Sequence, residues 1–246
     1  MIEFAYVTFV NNNKQYIELL KSTVKSVKAF SKYKLIIYFV NTPQIVSKQF
    51  EDEQIIIRHI DINLQNIYYY KPYVIIDAIK NGLLHGYFIE SDDLLTPHAD
   101  DYLYEQSLLL YKFPISPIHP NDPQIPMIDM LTVNSLKKTQ HYIHAHVLFS
   151  ETCLTFIEEW LDNCLKYDNY RNADETVLNL LYWKYNCTKH YLDVIDPWYE
   201  NFYTDIKTRD SACTFHGCKD PVIQMKLFED MVLFYKLEKN FTLHNK

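Results

Sequence analysis

Glycine is scarce in this chain: Gly82, Gly86 and Gly217 are the only three in 246 residues. A Rossmann dinucleotide fingerprint takes three closely spaced glycines and a P-loop takes two. Both are excluded, so any nucleotide must be held by another device. Basic charge is also in short supply. Lys and Arg number 24 against 31 Asp and Glu, for a net charge of −7. That balance argues against non-specific nucleic-acid binding, which rests on basic surface. It still leaves room for a small anionic ligand, because a metal or a few cations invert the sign locally.

Cysteine is sparse and scattered. The five thiols at 153, 164, 187, 213 and 218 are an odd number with no paired spacing, which indicates free thiols in a reducing compartment. Cys213, His216 and Cys218 are close in sequence, but a structural zinc site takes four ligands, so these cysteines are read as unliganded. No stretch is long and apolar enough to span a bilayer. The opening Met-Ile-Glu-Phe-Ala-Tyr-Val-Thr-Phe-Val lacks the basic start and long apolar run of a signal peptide and reads as a first strand. The expectation is a cytoplasmic protein with no membrane span. There is no internal repeat, low-complexity tract or domain linker, and hydrophobic residues at 48% are enough for a substantial core.

Residues 4–10 are apolar almost throughout, as in a buried central strand. Asn11-Asn12-Asn13 supplies a turn and a helix cap. Tyr16, Leu19, Leu20, Val24 and Val27 then recur at helical spacing over 14–30. Strands are predicted at 35–40 and 54–60, a helix from Lys71-Pro72 to Lys80, and a strand over 87–89. Strands interleaved with helices imply an α/β sandwich with a mostly parallel sheet, and ligands of such sheets sit beyond the strands' carboxyl ends.

The predicted fourth strand ends in Glu90-Ser91-Asp92-Asp93. Crowded carboxylates repel unless water or a cation neutralises them, and a hard divalent metal with oxygen ligands is a natural neutraliser. Side chains two apart on a strand share a face, so Glu90 and Asp92 are placed to converge on one ion. A solvated turn that caps a helix is the other reading, with Asp93 or Thr96 as cap.

The second half is less regular. Pro114, Pro117, Pro120, Pro123 and Pro126 mark a loop or edge segment. A strand is expected at 141–149, helices at 151–165 and 173–185, a short strand at 191–195, a lid over 196–212 and a closing helix at 221–237. His144 and His146 alternate on the expected strand, either lining a pocket or satisfied in the core. The run Tyr68-Tyr69-Tyr70 reads as packing. Trp198 and Tyr199 are amphipathic rings that can stack on a sugar or base.

Four stretches, in this order, resemble the GT-A type, nucleotide-sugar-dependent glycosyltransferases of the family 8 kind. They are Phe4 to Phe30, Lys71-Pro72 through Asp93, Asn172-Ala-Asp174-Glu175 through Trp183, and Thr214-Phe215-His216-Gly217-Cys218-Lys219. The family's Asp-x-Asp motif stands here as Glu90-Ser91-Asp92, and the late His-x-x-Gly-x-x-Lys type segment is compressed around His216. The resemblance implies a Rossmann-like three-layer α/β/α sandwich with a mostly parallel central sheet. One domain would span 1–246, with a nucleotide-binding half at 1–93 and an acceptor-binding half at 94–246.

It also implies a metal-dependent transfer of a hexose from a nucleotide diphosphate sugar, UDP-linked, to a glycan or other hydroxyl acceptor. A divalent ion offsets charge on the diphosphate leaving group. Carboxylate ligands suit Mg²⁺ or Mn²⁺, and a His ligand tilts the choice to Mn²⁺. On this reading Glu90, Asp92 and His216 are the metal ligands. Glu90, Ser91, Asp92, Lys71, Gly217 and Lys219 hold the donor. Gly217 admits close backbone approach to phosphate, and Lys219 pairs with phosphate as a point charge. Asp174 and Glu175 act on the acceptor hydroxyl or the transferring sugar, although acids opening a helix are favoured by its dipole alone. Two alternatives share the layout. One is a sugar-nucleotide nucleotidyltransferase, which would normally show an early glycine-rich loop. The other is a non-catalytic glycan-binding protein, a reading supported by Glu90 in place of Asp.

Overall fold

The computed structural model describes residues 1–64, 66–118, 135, 141–166, 173–187, 191–192 and 196–244, with the backbone alone at 173, 191 and 237–244. Asn172, Pro120, Pro123, Pro126 and 193–195 of the expected strand lie outside the described residues. Four segments form the first β/α repeats: β1 (Ile2–Val10), α1 (Lys14–Phe30), β2 (Lys34–Val40) and β3 (Ile55–Ile60). α2 (Gln44–Ser47) lies between β2 and β3; after β3 come α3 (Tyr70–Lys80), β4 (Leu83–Phe88), α4 (Ala99–Leu108) and β6 (Ser116–Pro117), which pairs with β8 (Tyr191–Leu192). With β7 (Leu148–Ser150) the strands make a five-stranded sheet in the order β3-β2-β1-β4-β7. β1 pairs parallel with β4 and β2 with β3, while β7 runs antiparallel to β4. This is the mixed α/β architecture with a mostly parallel central sheet that the interleaved strands and helices predict.

Local chemistry explains the elements. Asn13 caps α1, its side chain accepting from the Gln15 amide. Leu35 to Val40 of β2 are all buried, consistent with an inner strand, while β3 at the sheet's end is half-exposed. The chain groups into two compact units that interleave along the sequence. The first is 1–8, 61–89 and 104–193; the second is 9–60, 90–103 and 194–246.

In the first unit, α3 packs on α5 (Leu154–Lys166), and α5 packs on α6 (Ala173–Lys184). The expected strand at 141–149 is shorter than its alternation suggests, because only Leu148–Ser150 joins the sheet. Around Ile143 a side chain does the pairing: Asn179 accepts from the Ile143 amide at 2.8 Å and donates to its carbonyl at 2.9 Å.

In the second unit, α1 packs on the long closing helix α9 (Pro221–His244) and on β5 (Leu94–Leu95), which pairs with β9 (Thr214–Phe215). Leu94, Phe202, Ala212, Phe215, Leu227, Met231 and Tyr235 form its core cluster. The segment expected as a lid carries two short helices, α7 (Asn201–Thr204) and α8 (Ile206–Arg209), and sends Phe202 into that cluster. Among the described residues no helix is long and apolar enough to cross a membrane.

Gly86 of β4 lies opposite Phe149 of β7. A Cβ there would fall 2.6 Å from Phe149 Cζ and 3.0 Å from both the Ala5 carbonyl oxygen and Leu83 Cδ2. Gly86→Ala is therefore expected to lower stability by about 1–3 kcal/mol through overpacking. Phe149→Leu in the same chain should restore part of the loss relative to its own background. Urea unfolding midpoints check this; an unchanged midpoint for Gly86→Ala contradicts it.

Candidate functional site

In the second unit, the acidic run folds as a tight turn rather than as a strand end. β4 stops at Phe88, and the turn closes on itself: the Asp93 amide donates to the Glu90 carbonyl at 3.1 Å, and the Glu90 amide donates to Asp93 Oδ2 at 2.6 Å. The strand rule that put Glu90 and Asp92 on one face does not extend into such a turn. Hydroxyls of α1 hold it. Thr23 Oγ1 donates to the Ser91 carbonyl at 2.8 Å, and Ser26 Oγ accepts from the Leu95 amide at 2.9 Å. These contacts explain why polar residues of α1 are buried.

Asp92 is 2% exposed and Asp93 0%. Lys219 Nζ lies 2.7 Å from Asp92 Oδ2. Burial pulls the Lys219 pKa down, but the charges of Asp92 and Glu90 and the hydrogen bond to Asp92 outweigh it and hold the ammonium above its ordinary value. The Lys219 carbonyl accepts from Gln15 Nε2, which ties this segment to α1.

A further carboxylate joins the group. Asp196, 4% exposed, accepts from Thr214 Oγ1 at 2.7 Å and lies 3.0 Å from His216 Nδ1. Carboxylate oxygens of Asp93 and Asp196 lie within 4.8 Å of each other. Two buried carboxylates so close cannot both carry charge cheaply. A hard divalent cation suits this donor set. His216 lies tilted against Trp198, with ring centres 4.7 Å apart and planes at 42°, and Gly217 beside it has φ +86°. The structure thus brings Asp92 and Lys219 together and sets His216 against Asp196. The sequence pattern does not single out Asp196. The signal for Asp196 was of the same kind as for Glu90: an acid directly after the apolar run Val194-Ile195.

In the first unit, a second polar cluster surrounds the start of α6. Lys71 Nζ and Asp174 Oδ2 form a buried ion pair at 3.2 Å, and Lys71 also lies 5.2 Å from the centre of the Phe88 ring. Trp160 Nε1 donates to the Asp174 carbonyl at 2.6 Å. Glu175 accepts from Tyr142 Oη at 2.6 Å and from the Ala145 amide at 3.3 Å, and His144 Nδ1 lies 3.8 Å away. His144 and His146 are buried and stacked face to face, with ring centres 5.7 Å apart and planes 9° apart. The expected catalytic pair is therefore split by environment. Asp174 is ion-paired, whereas burial and then the charge of Asp174 push the Glu175 carboxyl above its ordinary value, against the lowering effects of Tyr142 and Lys71.

No family model matches the sequence, and no curated protein matches it. Among solved structures the chain is similar to the apo-form glycosyltransferase GlyE of Streptococcus pneumoniae TIGR4. The TM-score is 0.60 at 13% identity, over 96% of this chain and 64% of that one. This chain thus spans a little under two thirds of the length of the neighbour it matches. The likeness shows the fold: a Rossmann-like α/β architecture shared with that protein.

The direction of the Glu175 shift fixes a pH dependence. The folded state binds the proton more tightly than the unfolded chain. Its contribution is full below the unfolded glutamate pKa, about 4.3, and is lost as pH rises through the higher folded value. The wild type is expected to lose stability over that window relative to Glu175→Gln. Urea unfolding at a series of pH values measures it, and parallel curves for the two proteins would contradict it.

Proposed function

We propose that the protein is a metal-dependent glycosyltransferase that moves a hexose from a UDP-linked donor to a hydroxyl acceptor. The observation that carries the reading is the buried Asp93–Asp196 carboxylate pair on a fold similar to that of a glycosyltransferase. Asp93 and Asp196 would hold Mn²⁺ or Mg²⁺. When bound, that ion supplies positive charge to the leaving diphosphate. Glu90, Asp92 and His216, the ligands expected from the Asp-x-Asp-like motif and the late His segment, are proposed to complete the shell or orient the donor. Ser91 on the acidic turn, and Gly217 and Lys219 on the late segment, are proposed to contact the donor. Lys219 already sits at an acidic group as a charged ammonium, and a donor phosphate would replace one anionic partner with another.

Asp174 and Glu175 are proposed to serve the acceptor side. Glu175 has the chemistry of a proton acceptor: its raised pKa makes it a better base than an ordinary glutamate. Tyr142 and the Ala145 amide fix its orientation. Lys71 holds Asp174 in place through the buried ion pair. All five cysteines are unbridged and buried, which supports action in a reducing, cytoplasmic compartment.

The Lys219–Asp92 ion pair favours a second reading, in which the chain supplies its own cation at the motif and binds saccharide without transferring it. One assay separates the two. Incubation with UDP-glucose or UDP-galactose, an acceptor glycoside and Mn²⁺ is expected to release UDP, and chelator should stop the release. Asp93→Asn should lower the rate about a hundredfold or more while the circular dichroism stays native. A folded wild type that releases no UDP from common donors, or an Asp93→Asn protein as fast as wild type, contradicts the proposal.

A further inference from the structure

One of the chain's three glycines is used to seat a tryptophan. Gly217 has φ +86°, a conformation that side chains rarely adopt. A Cβ built there would lie 2.3 Å from Trp198 Cε3 and 2.4 Å from Cζ3. The six-membered ring of the indole therefore rests directly on the Gly217 backbone. The His216 imidazole lies against it as well, at 4.7 Å and 42°. Backbone bonds clamp the two segments together: the His216 amide donates to the Pro197 carbonyl at 3.1 Å, and the Tyr199 amide donates to the His216 carbonyl at 2.9 Å. His216 is in turn held by Asp196, and Asp196 by Thr214.

The indole is fixed from behind and yet is 47% exposed. Isolated apolar residues on a surface are ordinary, but they do not usually have their own glycine, imidazole and clamped backbone. A rigid aromatic with one side held and the rest open binds a flat apolar ligand face at low entropy cost. The run of contacts from the Trp198 ring to the His216 ring, and from His216 Nδ1 to Asp196 at 3.0 Å, leads to the carboxylate proposed to hold the cation. A pyranose attached directly to a cation-bound diphosphate lies next to the cation, whereas the nucleobase is a ribose further away.

We propose that Trp198 is a stacking platform for the C–H face of a pyranose ring, making this part of the second unit a saccharide subsite. The choice of a pyranose rests on the glycosyltransferase reading. Gly217 and His216 act as positioning residues for the indole.

The protein carries its own reporter. It has three tryptophans; Trp160 is fully buried and Trp183 is 4% exposed, so ligand-induced changes in emission come mainly from Trp198. The full chain is titrated with methyl α-D-glucopyranoside, methyl β-D-galactopyranoside and, separately, UDP with Mn²⁺, and UDP release from UDP-glucose and UDP-galactose is followed in parallel. At least one glycoside is expected to shift the emission. Trp198→Ala should weaken that glycoside about tenfold or more, with UDP affinity changed less than about twofold. Trp198→Phe, which keeps an aromatic face, should stay within about threefold of wild type. Glycoside binding through Trp198 without UDP binding would keep the platform and remove the enzyme reading. UDP release with full glycoside binding by Trp198→Ala would remove the platform and keep the enzyme. An emission unmoved by either glycoside overturns the proposal, and so does an equal loss of UDP and glycoside affinity, which would assign the ring to a nucleobase.

Discussion

Burying a carboxylate costs several kcal/mol unless its charge is offset by a partner, and the second unit buries Asp92, Asp93 and Asp196, besides Asp100, which accepts from Ser31 Oγ and the Lys32 amide. Much of its local architecture follows from that demand. Lys219 is drawn to Asp92, the Glu90 amide turns back onto Asp93, and Thr214 and His216 gather on Asp196. The hydroxyls of α1 that would otherwise be misplaced on a buried helix face support the loop carrying these acids. Even so, Asp93 and Asp196 stay within 4.8 Å of each other, and a fold keeps two such acids together at a cost in stability. A cation that binds between them would recover that cost.

The first unit solves a similar problem differently. Its acids are offset internally, Asp174 by the buried Lys71 ammonium and Glu175 by a tyrosine hydroxyl and a backbone amide. Adjacent residues at the start of one helix thereby acquire different acid–base character. Asp174 is locked as an ion-pair partner. Glu175 is pushed toward the protonated form by burial and by its charged neighbour. Pairs of carboxyls separated in this way are a common basis for assigning acid–base roles.

The fold was largely legible in the sequence because its signals are local. The Asn13 cap and the 3.6-residue spacing give α1 at the predicted bounds, and the apolar runs give β1 and β2. The apolar run over 87–89 marks only the end of β4, which begins at Leu83, because Gly86 and His85 interrupt its apolar character. Alternation over 141–149 overstates the strand, because a side chain, Asn179, supplies hydrogen bonds at Ile143 that a neighbouring strand would otherwise supply. The acidic run was visible as a site candidate, but its internal geometry was not: the turn is closed by a side chain-to-backbone bond that no spacing rule encodes. Asp196 and the seat of Trp198 depend on contacts between segments far apart or irregular in sequence, and periodicity does not report those.

The proposed chemistry depends on a cation held by Asp93 and Asp196. Mn²⁺ titration of the nucleotide-free protein, followed by loss of the free-ion electron paramagnetic resonance signal, tests it most directly. The wild type is predicted to take up Mn²⁺, and the folded Asp93→Asn/Asp196→Asn protein should leave the ion free over the same range. Equal uptake by both proteins, or no uptake by the wild type, would contradict it.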